Sequence, residues 1–268
     1  MMRKLFISIF KKMGFAIKLT SLTTTEKYKA KSDKEGLNLY DTDTGKYYLP
    51  SFLKDDVVAN TVKKGLYFDE AIIEVAKQYI KKDSSFLDIG ANYGQMSVVL
   101  SKYISSIGSG KVYSFEAEPF VGQVLKSNIE INNCNNVQVV LGAVYFKAGE
   151  KLIFPEPDFK RFQAYGSYGI DPLATSGRTV ETITIDSLDI RDSISFIKID
   201  IQGCDLFAMQ GARNTILKYK PAIIFEYEEQ FQEEFKTSFN DYAEFVSSIN
   251  YKFVKTYMNI NYLIVPKD

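Results

Sequence analysis

The chain has 268 residues, 46% of them hydrophobic and 25% charged, which suits one α/β domain with a large core and a modest extension. Trp and His are both absent, and without His there is no His general base and no His-ligated metal centre, so no metal site is expected. The net charge is zero, but residues 1–34 hold nine Lys/Arg against two Asp/Glu, a local +7 that the remainder balances with −7.

The basic segment is patterned. On a helix at about 100° per residue, Leu5, Phe6, Ile9, Phe10, Met13, Ala16 and Ile17 share one arc, with Lys4, Lys11, Lys12 and Lys18 opposite. Lys11 and Lys12 interrupt the apolar run far short of the roughly 20 residues that a membrane span needs, and no small-residue cleavage site follows. Residues 1–20 therefore suggest peripheral contact with the inner face of a membrane. A helix packed on its own domain, or one pairing two subunits of a homodimer, fits the same pattern. Cys134 and Cys204 lack CxxC spacing and read as buried thiols in a reducing, cytoplasmic setting.

The pattern divides the chain into a basic segment and linker (1–35), a small hairpin and helix (36–82) and a main domain (83–268). In "LNLYDTDTGKYYLP" the arms Leu37–Tyr40 and Lys46–Leu49 flank an Asp-Thr-Gly turn. "FDEAIIEVAKQYI" follows with helical spacing, acidic at its start and basic at its end. Strand and helix then alternate: "SFLDIG", a helix through Met96, Val99, Leu100, Tyr103 and Ile104, "KVYSFEAE", a helix from about Phe120 to Asn132, and "NVQVVLGAV". "EKLIFPEP" and "TVETITIDSL" bracket a Gly- and Tyr-rich excursion, "RFQAYGSYGIDPL". "ISFIKIDIQG" and "PAIIFEYEE" are a fourth and fifth strand with a weaker helical stretch between them. "YKFVKTYMNINYLIV" closes the chain as two strands turning at Met258–Asn259. The alternation predicts a Rossmann-like α/β fold: a seven-stranded, mostly parallel sheet covered on both faces, with one antiparallel strand from the final hairpin. Ligands of such sheets bind beyond the carboxyl ends of the strands, where the strand order reverses.

The loop after the first of these strands, "FLDIGANYGQ", carries Gly90 and Gly94 for a sharp turn and Asn92, which tolerates a left-handed backbone. It has no GxxxxGK[ST], and two of the three GxGxxG positions fail. Asp88, Asn92 and Gln95, with no Lys or Arg in the loop, instead suit the sulfonium nucleoside S-adenosylmethionine. Glu116, 26 residues after Gly90, sits where a carboxylate takes both hydroxyls of a ribose, a group that NAD shares; it also reads as the start of the next helix.

These segments, "FLDIGANYG", "SFEAEP", "IDSL" and "FIKIDIQGCD", in this order over about Phe86 to Glu226, resemble the FkbM-type methyltransferases. The resemblance implies a class I, S-adenosylmethionine-dependent fold associated with O-methylation, with Asp88, Gly90, Asn92, Gly94 and Glu116 lining the cofactor site and Asp200 facing the methyl group or substrate. Gln95 and Ala143 are added to the expected cofactor-binding set. The chain departs from the family pattern K-I-D-V-E-G-x-E at Gln202, which takes no proton, and at Asp205. Tyr145 and Phe146 either stack on the adenine or fill the core edge.

With no His, Asp200 and Glu226 are the candidate bases, and Lys198 lies on the same strand face as Asp200. Asp200 also reads as a helix cap. The [DN]PPY loop of base methylation is absent and no basic stripe crosses this region, so nucleic acid is not the expected partner. The excursion, with Tyr165, Tyr168, Gly166 and Gly169, suits an uncharged ring, pointing to a small-molecule or glycan acceptor: a hydroxyl on a sugar, glycan or glycolipid precursor. A protein that binds S-adenosylmethionine without transfer, acting as an interaction module, and an NAD-linked oxidoreductase are the alternatives.

Overall fold

The computed structural model describes residues 33–34, 36–159 and 164–267. The amphipathic segment expected at residues 1–20 lies outside them. Among the described residues no helix is long and apolar enough to cross a membrane.

The chain opens with β1 (Asp33–Lys34), β2 (Leu37–Thr42) and β3 (Gly45–Pro50), an antiparallel sheet whose hairpin is longer at both arms than its apolar residues suggest. Helices α1 (Val57–Lys63) and α2 (Glu70–Tyr79) lead to β4 (Ser85–Ile89), α3 (Gln95–Ile107), β5 (Val112–Glu116), α4 (Pro119–Ile131) and β6 (Val137–Leu141). After β7 (Ala143–Val144), β8 (Lys151–Phe154) and β9 (Arg178–Ile183), the chain returns through β10 (Ile194–Ile199), α5 (Asp205–Gly211), α6 (Arg213–Tyr219) and β11 (Ala222–Glu226). It ends in α7 (Glu229–Phe235), α8 (Phe239–Ser248), β12 (Tyr251–Tyr257) and β13 (Asn261–Pro266).

The main sheet has the order β12-β13-β11-β10-β4-β5-β6. β11, β10, β4, β5 and β6 are parallel, while β13 runs antiparallel to both of its neighbours. The expected fold class and the antiparallel closing strand are thus present, and the turn falls at Met258 and Asn259, both with positive φ. The chain leaves β4 towards β5 and β6 and later returns to β10 on the other side, so the strand order reverses between β4 and β10. Every residue of these two strands is buried, as expected for the middle of a sheet covered on both faces.

The run "NVQVVLGAV" is two strands rather than one. Gly142 adopts φ 150° and donates its N–H to the Glu116 carbonyl (3.0 Å), which ends β6. Ala143–Val144 then pairs with β9 in a separate three-stranded sheet, β7-β9-β8. That sheet is the frame of the Tyr-rich excursion.

Helices α7 and α8 were not foreseen between the fifth strand and the hairpin. The signals of α8 were present: Ser238 and Asp241 form a capping box, and Tyr242, Phe245 and Val246 bury one face of it.

The N-terminal hairpin is part of the main core. Tyr47 and Leu49 are fully buried in a cluster with Tyr93, Val121, Val124 and Leu125. Asn128 of α4 and Asn132, at the carboxyl cap of that helix, complete the free edge of β3. Asn128 accepts from Tyr48 N (2.6 Å) and donates to the carbonyls of Tyr48 (3.1 Å) and Tyr93 (2.8 Å). Asn132 accepts from Lys46 N (3.0 Å) and donates to Lys46 O (2.6 Å). A side-chain amide carries the donor and acceptor that a neighbouring strand would supply.

Candidate active site

A cleft with about 1020 Å³ of empty space, open solvent at its mouth included, lies over the carboxyl ends of β4, β5 and β10. Every residue of the expected cofactor set lines it: Asp88, Gly90, Asn92, Gly94, Gln95, Glu116 and Ala143. Asp200 and Lys198 line it as well, whereas Glu226 stands behind Asp200, outside the lining.

The glycine turn owes its shape to its neighbours. Gly90 has φ 85°, and a Cβ there would meet the Asp200 carbonyl oxygen at 2.0 Å, so the β4 turn and the end of β10 are in backbone contact. Asn92 is left-handed at φ 51°, as its residue type suggests. Its N–H donates to Glu116 Oε2 (3.0 Å), and Glu118 N donates to Glu116 Oε1 (2.9 Å). Glu116 therefore ends a strand with each carboxylate oxygen held by a backbone donor. The next helix is capped instead by Glu118, which accepts from Val121 N (2.7 Å) and pairs with Arg178. Burial pushes Glu116 up to about 7 against the pull of these N–H groups.

Two buried oxygens in the cleft wall, Asp88 Oδ1 and Asn92 Oδ1, have no hydrogen-bond partner among the described residues. The other Asp88 oxygen accepts from Ser97 (2.5 Å). Gln95 is spent differently from expectation: it accepts from Phe68 N (2.8 Å) and donates to Leu66 O (2.8 Å) and Thr44 Oγ1 (3.2 Å). These bonds brace the segment before α2 against α3.

Lys198 is the one cationic side chain among the described cleft-lining residues, and it is committed. Its Nζ donates to Gly90 O (2.8 Å) and stands 3.4 Å from Asp200 and 3.9 Å from Asp88. Burial alone would depress its pKa; the carboxylates of Asp200, Asp88 and Asp69 reverse this and keep it charged. Of the two roles that its place beside Asp200 suggests, pairing with that carboxylate or orienting a substrate oxygen, the geometry shows the first.

Asp200 caps no helix, because α5 begins after Cys204. Its side chain is 24% exposed at the cleft, with Gln202 Nε2 3.4 Å from Oδ1. The same Gln202 nitrogen lies 3.3 Å from Glu226 Oε2. Burial, and then Asp200, push Glu226 well above the usual carboxylate range. Asp205 is fully buried, accepts from Glu226 N (3.1 Å) and Ile201 N (3.5 Å), and pins the turn after β10 to β11. Burial, and then Asp200, push it up to about 7.

In the sequence Asp69 is marked only as part of an acidic helix start. It occupies the N-cap position of α2 yet makes no capping bond, because its backbone is left-handed (φ 56°) and the residue lines the cleft. Burial, then Asp200, push it up to about 7. No local pattern distinguishes such a cap from an ordinary one.

Tyr165, Gly166, Tyr168 and Gly169 line the cleft from the excursion, with Tyr165 packed on Phe120 (5.3 Å) and Phe159 (5.0 Å). Tyr145 takes the core alternative, buried against Phe146 and Phe207 and away from the cleft. Among the described residues no cluster of His, Cys, Asp or Glu could hold a metal ion.

A parallel sheet with its cleft at the reversal of strand order, a glycine turn without free cations and a carboxylate one strand over define a Rossmann-like protein built for a nucleoside without phosphates. The chain belongs to the methyltransferase FkbM domain family, whose model matches residues 88–253.

Among curated proteins the chain is similar to ribosomal protein L11 methyltransferase of Clostridium perfringens, 30% identical over 70 residues. That match spans 26% of this chain and 21% of the relative, about a fifth of its length. Among solved structures it is similar to the FkbM methyltransferase of Methylobacillus flagellatus KT (18% identity, 79% of this chain and 55% of that one, TM-score 0.45). It is also similar to M. jannaschii TYW2, determined in complex with AdoMet (15% identity, 87% and 85%, TM-score 0.42).

Proposed function

We propose that this chain is an S-adenosylmethionine-dependent methyltransferase that methylates a hydroxyl on a sugar, glycan or glycolipid precursor. One observation carries the cofactor: the described cleft wall offers carboxylate and amide acceptors beside a single cation that is already engaged. Glu116 presents a carboxylate already aimed by two N–H groups, Asn92 Oδ1 has no hydrogen-bond partner among the described residues, and Asp88 Oδ1 has only the Lys198 ammonium 3.9 Å away. The ligand that completes such a wall brings hydroxyls and an ammonium and no phosphate. A dinucleotide would bring a pyrophosphate, and the one cation among the described lining residues, Lys198, is already engaged.

Glu116 would hold the ribose hydroxyls, with Asp88 and Asn92 taking further donors along the glycine turn. When bound, S-adenosylmethionine supplies an electrophilic methyl on a sulfonium. Asp200, at the cleft with one oxygen beside Lys198, is placed to receive the proton of the acceptor hydroxyl. Alignment of acceptor and methyl in the walled cleft supplies much of the acceleration, of which good orientation can give roughly 7–11 kcal/mol. The FkbM family assignment and the uncharged aromatic wall of Tyr165 and Tyr168 favour a ring-shaped hydroxyl acceptor.

Calorimetry with S-adenosylmethionine and with NAD tests the cofactor: binding of the first alone is expected. Labelled methyl offered with glycans, sugar nucleotides, proteins and phenols tests the acceptor. Label entering only protein or phenol would replace the sugar reading.

A further inference from the structure

Gln202 has a left-handed backbone, φ 54°, unusual for a residue that is neither Gly nor Asn. This turns its side chain to the strand ends, where Nε2 lies 3.4 Å from Asp200 Oδ1 and 3.3 Å from Glu226 Oε2. The Asp200 oxygen decides which end of the amide faces it, because only the NH2 group donates; Glu226, pushed towards its neutral form, accepts from the same nitrogen. Oε1 therefore turns away from both. It receives no hydrogen bond from any described residue, and Gln202 is partly exposed within the cleft lining. Across the cleft mouth, Gly169 of the excursion comes so close that a Cβ there would meet Gln202 Cβ at 2.9 Å. The amide is thus anchored at its nitrogen, restrained at its base, and offers one oriented acceptor beside Asp200.

We propose that Gln202 determines acceptor specificity: with its nitrogen held by Asp200 and Glu226, its Oε1 accepts from a second hydroxyl adjacent to the one that is methylated, so that the acceptor is a vicinal diol. This rests on the methyltransferase reading above. The first hydroxyl gives its proton to Asp200 and its oxygen takes the methyl carbon, while the electrons of the broken C–S bond stay on sulfur. The products are a methyl ether, a neutral thioether and a protonated Asp200. The second hydroxyl does not react; it fixes the ring so that its neighbour faces the methyl. An acceptor lacking it leaves Oε1 unpaired beside the bound ring, the kind of omission that a polar site rejects strongly.

The test uses labelled S-adenosylmethionine with methyl α-mannopyranoside and methyl α-glucopyranoside, each against its monodeoxy counterparts. Wild type is expected to prefer a vicinal-diol parent over the deoxy compound at least tenfold in kcat/KM. Gln202→Leu is expected to shrink that preference to within about twofold, chiefly through KM, and so is Gln202→Glu, which keeps an oxygen but loses the NH2 group that Asp200 and Glu226 hold. Wild type using parent and deoxy compounds equally overturns the proposal, and so does a preference that survives in Gln202→Leu. If Gln202→Leu does not fold, the wild-type pairs and Gln202→Glu decide. Wild type that binds the cofactor yet methylates no glycoside removes both this proposal and the sugar reading. Wild type that binds no cofactor removes the methyltransferase reading first.

Discussion

The Lys198 ammonium donates a 2.8 Å hydrogen bond to the carbonyl of Gly90, tying the last turn of β10 to the glycine loop after β4. It does so while buried between the carboxylates of Asp88 and Asp200, so one cation holds together the strand ends that frame the cleft. Lys198→Met should leave two carboxylates facing each other without their counter-charge. Breaking a buried pair in this way costs about 3–5 kcal/mol, and urea unfolding should show a loss of that size. A loss below about 1 kcal/mol would mean that the carboxylates find other partners.

Gly90→Ala places a methyl 2.0 Å from the Asp200 carbonyl at a φ of 85°. The contact is with backbone, which cannot rotate aside, so β4 and β10 must separate. The expected outcome is a stability loss above about 1 kcal/mol together with at least tenfold weaker binding of S-adenosylmethionine, read by calorimetry. Unchanged binding would detach the glycine turn from the cofactor site.

Glu116 links pH to both stability and binding. Its folded value, about 7, lies above its ordinary value, so the neutral form is the one the fold prefers. The stabilisation is complete below the ordinary carboxylate value and is lost as pH rises through about 7. Wild-type melting temperature in the ligand-free protein should therefore fall between about pH 5 and pH 8, and Glu116→Gln, less stable throughout because its NH2 faces one of the two backbone donors, should lose that slope. Diol hydroxyls, in contrast, favour the ionised carboxylate, so wild-type affinity for S-adenosylmethionine should rise with pH across about 7, and the variant should lose that slope. Thermal scans and calorimetry across this range check both signs.

Asp200→Asn keeps size and removes the proton acceptor. Methyl transfer should fall about a hundred- to ten-thousand-fold while cofactor affinity changes little, since positioned bases supply gains of that order. Transfer undiminished in this variant would remove Asp200 as the base and leave the cofactor site intact.

Asn128, fully buried, satisfies three backbone groups of the hairpin and the glycine loop. Asn128→Ala should cost about 1–3 kcal/mol for each group left without a partner. Limited proteolysis should then cut within residues 37–50 first; protection there equal to wild type would show that the apolar packing of Tyr47 and Leu49 suffices.

Local information determined a great deal of this protein. The period of the apolar residues marked the five parallel strands and the closing hairpin, because a strand buried on both faces must be a short continuous apolar run. The glycine turn, Asn92 in its left-handed conformation and Glu116 at its strand end were legible because each answers to a rule about one residue and its near neighbours. Helix α8 carries a capping box and an amphipathic face, both local signals, whereas α7 has no side-chain cap to mark it.

Other features belong to tertiary structure alone. The split of "NVQVVLGAV" depends on β9, some forty residues later, offering Ala143–Val144 a partner. Asp69 reads as part of an acidic helix start until the fold brings it within electrostatic reach of Asp200 and Lys198, and Gln95 reads as a ligand group until the approach to α2 takes up its amide. The direction of the Gln202 amide follows from two carboxyl groups brought together by neighbouring strands. Backbone conformation is set by short-range sterics and is written locally, whereas the partner of a polar side chain is chosen by whatever the folded chain brings within three or so ångströms. That choice cannot be read one segment at a time.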